Sequence, residues 1–464
     1  MTSQAKTSQA MKTQTVIATV LLTAASLVLA GCSGVDSTTT VTTPVTVSGM
    51  VLNGTVHGGQ QPINGATMQL YAAGSTGYGS AYTYTSGTSL LGTHVVKTDV
   101  NGGFTITSDY TCPTPTTEVY LAATGGYPGP TAPVNNNIAL MAALGPCGLL
   151  SGSTNVNINE ITTVASVWAL SPFMTGIANI GTSSTNAQGL TNAFATVNEL
   201  VNIGTGSVSG PALPVGATLS AATVAKINTL ADLLAACINS SGGVAGDGSG
   251  CGLLFTAAKV SGVAPTDTIT AALNMAQHPS ANTSVATTVS GGAPFQPALT
   301  SAPSDFSLVI TYTGGGISAP KGIATDSTGN VWVANSGGSS VTKLDALGVT
   351  TTDTTGYLSG TNGYNVGSLN APVALAIDLS GNAWVANGNS TVTEIAANGL
   401  TGTLFNGGSM SSPSSVAIDA SSNVWIANSG NGSITEITPG TTPAYNNYNG
   451  FGVAAPSAIA INPK

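Results

Sequence analysis

Four segments in the last third of this chain repeat one another, and that repetition limits its fold more than any other feature. Pro320-Lys321-Gly322-Ile323-Ala324-Thr325-Asp326 leads to Gly329-Asn330-Val331-Trp332-Val333-Ala334-Asn335. The same pattern returns from Pro372 through Asp378 to Gly381-Asn382-Ala383-Trp384-Val385-Ala386-Asn387. It returns again from Pro413 through Asp419 to Ser422-Asn423-Val424-Trp425-Ile426-Ala427-Asn428, and it begins a fourth time at Pro456. The four prolines stand 52, 41 and 43 residues apart, a period typical of stacked supersecondary units. Each unit predicts a strand, an Asp-x-x-Gly-Asn turn, a Trp-bearing strand, an Asn-rich turn and a third strand, at 341–344, 392–395 and 434–437. An aspartate can accept turn amide protons, and glycine permits a positive φ. The tryptophans are expected to pack between units. A catalytic residue need occur only once, so Asp326, Asn330, Trp332, Asp378, Asn382, Trp384, Asp419, Asn423 and Trp425 read as structural repeat residues.

These repeats resemble the NHL-repeat and virginiamycin B lyase-like β-propellers. The resemblance implies an incomplete propeller over 301–464, about three blades plus one strand. Propellers usually close with four to eight blades. Either the natural chain continues, or another molecule completes the open edge; the strand at 307–313 could pair with 458–461. Asn335, Asn387 and Asn428 stand where many NHL repeats carry aspartate, and the chain has no arginine. The lyase resemblance implies a catalytic histidine and a metal, yet His57, His94 and His278 all lie outside the repeats. Glu394 and Glu436 occupy equivalent third-strand positions and read as a recurring surface site. No Gly-x-Ser-x-Gly elbow appears in a strand-turn-helix context. No catalytic residue, metal or cofactor is therefore expected. A lyase or hydrolase relative, degenerate or truncated, is the alternative.

Upstream, residues 45–126 alternate apolar and polar in short runs separated by turn chemistry. Gly49-x-Val51, Pro62-x-x-Gly65-Ala66 with Leu70-Tyr71, Thr98-Asp99-x-x-Gly102 before Phe104, and Tyr120 before Gly125-Gly126 carry a resemblance to the carboxypeptidase-regulatory-like, or transthyretin-like, β-sandwich. Such modules support, space or bind. His57 and His94 read as surface or packed imidazoles. From 127 to 300, helical periods replace alternation and predict a small helical domain, with helices at 138–143, 158–169, 190–201, 221–238, 253–260 and 268–277. Ser220 and Asp267 are the expected N-caps. Glu160, Glu199 and Asp232 read as isolated, solvated or capping carboxylates. The loop at 246–250 has too few oxygen ligands for calcium. The expected fold class is thus multidomain and mainly β: a β-sandwich, a small α-helical domain, then an incomplete β-propeller.

The N-terminus reads as an address. Lys6 and Lys12 precede an apolar run at 16–29, too short for a comfortable membrane span and suited to a signal peptide over residues 1–31. Leu29-Ala30-Gly31-Cys32 resembles a bacterial lipobox, with Cys32 the lipidated residue and 32–44 a flexible tether. By resemblance to lipoprotein sorting, Ser33 after the cysteine favours the outer membrane of a bacterial cell envelope. Cys112, Cys147, Cys237 and Cys251 suggest two disulfides in an oxidising compartment. Three pairings are possible; the short Gly/Ser-rich loop favours Cys237–Cys251, which leaves Cys112–Cys147. Zinc is disfavoured by the lack of a Cys-x-x-Cys pair. Cleavage before Cys32 would leave a net charge of −11, which excludes nucleic acid and disfavours other polyanions. The expected protein is a non-catalytic envelope lipoprotein, anchored through its lipid, whose repeats offer a recognition or scaffold surface to protein or envelope glycan. An edge-to-edge oligomer is a further expectation.

Overall fold

The computed structural model describes residues 46–462 except 60, 84–87, 153, 211–212, 214–215, 290–292, 346–356 and 451. Cys32 and the tether lie outside the described residues. Among the described residues the fold is mainly β: many small, mostly antiparallel sheets, a few helices, and no sheet closed into a barrel.

Two sheets open the described fold. One orders Ala139–Pro146, Glu118–Thr124, Thr67–Ala72 and Val96–Lys97, all antiparallel. The other centres on Leu52–Gly58, paired with Gly103–Ile106, Gln61–Asn64 and, in parallel, Asn155–Ile158. Leu52–Gly58 buries alternate residues, as a one-sided strand should. Glu118–Thr124 and Ala139–Pro146 are buried almost throughout.

The segment 138–143, expected as a helix, is instead part of this second buried strand. A short continuous apolar run is ambiguous by periodicity, and here tertiary contacts decide it. Ala139–Pro146 is an edge strand whose outward amides would be orphaned in the core. Helix hydroxyls satisfy them: Met141 N donates to Thr163 Oγ1 (2.9 Å), Ala143 N to Ser166 Oγ (3.0 Å), and Ala139 N to Thr268 Oγ1 (3.0 Å).

Five helices follow the sequence expectation within a few residues: α1 Glu160–Leu170, α2 Ala187–Leu200, α3 Ala221–Ile238, α4 Gly250–Ala257 and α5 Thr268–Gln277. Ser220 accepts from Thr223 N and Asp267 from Thr270 N, the two expected N-caps. Asn135, fully buried, donates its amide to the carbonyls of Cys237, Ile238 and Ser240, closing the end of α3. α3 is long and apolar enough to span a bilayer, but 72% of it is buried within the protein.

One hydrophobic core runs from Leu52 to Phe306. The division expected at 126 falls inside it, because the strands Ala139–Pro146 and Asn155–Ile158 complete the sheets begun before it. Both favoured disulfides form, Cys112–Cys147 and Cys237–Cys251, at sequence separations of 35 and 14. By loop-closure entropy, replacing the first pair with serine should cost about 4 kcal/mol and the second about 3 kcal/mol. Urea midpoints of the two double variants should fall in that order.

The repeats form three antiparallel meanders. The first comprises Pro320–Thr325, Val331–Asn335 and Ser340–Leu344, with single bridges from Val341 to Tyr364 and Leu344 to Tyr357. The second and third have four strands each: Pro372–Ile377, Ala383–Asn387, Val392–Ile395 and Gly402–Phe405, then Pro413–Ile418, Val424–Asn428, Ser433–Thr438 and Ala444–Asn449. Register is shared, with Pro320, Pro372 and Pro413 opposite Asn335, Asn387 and Asn428. Consecutive sheets stack face to face, and their first strands lie against one another. A Cβ on Gly322 would come within 2.9 Å of Ala374 Cα, so only glycine permits that approach.

The fourth repeat segment pairs differently from expectation. Ile310–Tyr312 pairs with Ala217–Leu219, not with 458–461. Residues 458–461 form no ladder; the segment is held where Ser414 Oγ donates to Pro456 O (2.6 Å). Ala455 repeats the positive φ of Ala319, Ala371 and Ser412 (43°, against 43°, 41° and 44°). The local backbone pattern thus recurs a fourth time.

Candidate functional site

Each repeat aspartate anchors its turn and its tryptophan together. Asp378 Oδ1 accepts from Ser380 N and Asn382 N (both 2.9 Å); its Oδ2 accepts from Asn382 Nδ2 (3.1 Å) and Trp384 Nε1 (3.2 Å). Asp326 and Asp419 make the corresponding bonds to Asn330 with Trp332 and to Asn423 with Trp425. Burial opposes ionisation of Asp326, but donors from Thr328, Trp332, Asn330 and Lys343 outweigh it and hold the carboxyl well below its usual range. Asp419 is likewise lowered, its donors again overcoming burial. The indole bond joins the turn to the packed face, a link that the linear pattern does not reveal.

Trp332 and Trp384 are fully buried between sheets, as expected. Trp332 packs with Leu375, Val385 and Ile395 of the second sheet, and Trp384 with Val416, Ile426 and Ile437 of the third. Trp425 is half-buried. Every tryptophan of the repeats also meets an aromatic ring further along its own repeat: Tyr364, Phe405 or Tyr448, with centroids 4.9–5.8 Å apart.

Asn335, Asn387 and Asn428 are fully buried latches. Each donates to a third-strand threonine hydroxyl at 2.9 Å: Thr342, Thr393 or Thr435. Each also accepts a loop amide, from Ser318, Asn370 or Ser411. An aspartate could not donate there and would bury a charge, which explains asparagine at this position.

The third-strand residue opposite each tryptophan varies. Lys343 bridges Asp326 at 3.1 Å and lies 4.4 Å over the Trp332 ring. Glu394 accepts from Asn382, and Glu436 from Asn446 and Tyr448. Lys343 is buried and Glu394 half-buried, so this recurring position is not simple surface.

The expectation of solvated carboxylates in the helical region is corrected. Glu160, Glu199 and Asp232 are 0%, 5% and 2% exposed, and Glu118 is 4% exposed. Burial lifts Glu160 to about 8, with the nearby Asp232 charge adding to the rise and the Gly59 amide opposing it. Burial lifts Asp232 to about 6 against the Phe295 amide bond. Glu199 rises to about 7 by burial, opposed by the Tyr312 phenol that donates to it at 3.2 Å. An isolated acid in sequence carries no mark of burial, since its neighbours come from distant segments. His57 is lowered by burial.

A cavity of about 670 Å³ lies between α2 and the first repeat sheet. Glu199, Tyr312, Thr196 and Lys321 give it polar groups, while Ile323 and Val331 give it apolar wall. Among the described residues, no three His, Cys, Asp or Glu side chains cluster closely enough to hold a metal ion.

No protein-family profile matches the chain, and no curated protein does. Solved structures overlap it in part. A virginiamycin B lyase from Staphylococcus aureus is 18% identical over 30% of this chain and 44% of its own, with TM-score 0.24. A streptogramin B lyase is 15% identical over 31% and 45%, with TM-score 0.25. The extracellular domain of a Bacteroides thetaiotaomicron protein is 18% identical over 33% and 20%, with TM-score 0.23. The chain thus spans less than half the length of these structures.

Proposed function

We propose that this chain is a non-catalytic lipoprotein of a bacterial cell envelope, anchored through Cys32, whose three repeat sheets are propeller blades presenting a recognition or scaffold surface to protein or glycan. One observation carries the reading: in all three sheets the recurring aspartate, asparagine and tryptophan are engaged in bonds within their own repeat. Their recurrence therefore serves folding. The stacking of first strands supports the blade assignment, and the upstream pair of sheets is read as the sandwich-like spacer. Two disulfides support an oxidising compartment, with the outer membrane favoured.

Two measurements test this. Expressed in bacteria fed an alkyne-bearing fatty acid, the full chain should take up the label and sediment with membranes, and Cys32→Ser should abolish both. Label retained by the variant would refute the anchor. The purified protein should also leave quinupristin, the ligand of one of the lyase structures, unchanged by mass spectrometry. Its turnover would establish the lyase alternative and overturn the non-catalytic reading.

A further inference from the structure

We propose that a second site, outside the repeats, binds one pyranose unit of a glycan in the pocket around Glu118. This pocket, about 370 Å³, is of a size that small ligands occupy. Glu118 lines it at 4% exposure, and among the described residues neither carboxylate oxygen has a well-formed hydrogen bond. Burial lifts its pKa to about 7, against the pull of the Thr191 hydroxyl. A buried carboxylate short of donors is costly, and a ligand that brings donors lowers that cost.

The pocket is built before any ligand arrives. The Cys112–Cys147 disulfide pins one rim, helped by Cys147 N donating to Thr117 O and Gly148 N to Pro115 O, both at 2.8 Å. Ala73 N donates to Glu118 O at 2.9 Å, and Gly74 N to Ile180 O at 2.8 Å, fixing the second wall. The first turns of α2 supply the third, with Leu190 and Thr191.

The lining selects the ligand. A lone carboxylate suits a metal poorly, since hard cations require several oxygen ligands. An anion would meet Glu118 and an acidic protein. A pyranose fits: adjacent hydroxyls can donate to the carboxylate, others can exchange bonds with Thr114 and Thr117, and its C–H face can lie against Tyr82 and Leu190.

The test titrates the full chain at pH 8 with methyl α-glucopyranoside, methyl α-mannopyranoside, methyl β-galactopyranoside and N-acetylglucosamine, read by saturation-transfer NMR and calorimetry. At least one should bind saturably. Glu118→Gln should weaken it about tenfold, by loss of a charged acceptor. Ser75→Trp, at the exposed rim, should block it with melting behaviour unchanged. Failure of all four sugars to bind, or binding that ignores both substitutions, would overturn the proposal. Either failure leaves the fatty-acid and quinupristin results untouched, so the two readings fall separately.

Discussion

Acidifying the protein from pH 9 to pH 5 should raise its melting temperature. Four buried carboxyls, Glu118, Glu160, Glu199 and Asp232, have folded pKa values raised to about 7, 8, 7 and 6. Between the unfolded values, about 4, and these, the folded state holds more protons than the unfolded one. Stability then falls as pH rises through that window and levels off above it. The total effect should be at least about 3 kcal/mol, since each tenfold gain in a carboxyl's proton affinity on folding corresponds to about 1.4 kcal/mol. Below about pH 4 the sign reverses. Asp305, Asp326 and Asp419 are held below their usual range, so their contribution is lost as they protonate. The maximum therefore lies at about pH 4–5. Glu160→Gln identifies the main contributor: it keeps the acceptor for the Gly59 amide while removing the charge beside Asp232. It should stabilise the protein by about 2 kcal/mol at pH 9 and leave it little changed at pH 5. Thermal melts across pH would refute this by showing a flat profile, or one that falls with acidification between pH 9 and pH 5.

The second large effect is loss of a repeat aspartate. Asp378→Ala strands two turn amides, the Asn382 side chain and the Trp384 indole, all at once. Unsatisfied buried donors cost about 1–3 kcal/mol each, and partial access to water limits the total here to about 3–5 kcal/mol. Asp378→Asn should recover little, because its amide group would face two donors. Trp384→Phe should cost about 2 kcal/mol, losing the indole bond while keeping most of the packing against Phe405 and Val416. Denaturant midpoints measure all three. A midpoint for Asp378→Ala equal to that of the parent would mean that the turn holds without its anchor.

Much of this is legible in one dimension. The spacing of Pro320, Pro372, Pro413 and Pro456 sets the repeat count, and Trp332 and Trp384 pack between sheets as their recurrence implies. Helices α2, α3 and α5 follow from apolar steps of three and four with Ser220 and Asp267 as caps, since both signals are local. The disulfide choice also follows from a short loop. Residues 138–143 depart from the helical expectation because an apolar run does not state whether its partner is a strand or a helix. The acids at 118, 160, 199 and 232 give no sign of their burial, because burial depends on what arrives from elsewhere in the chain.

The repeat units, their turns and the helix ends are therefore legible in chain order alone, since interactions within a few residues set them. Contacts between distant segments make one core cross the position near 126, complete an edge strand with helix hydroxyls, and let Asn335, Asn387 and Asn428 latch loop to strand. The same contacts set which carboxylates are buried. The reason is common to all of these: desolvation and hydrogen-bond satisfaction are properties of a three-dimensional neighbourhood.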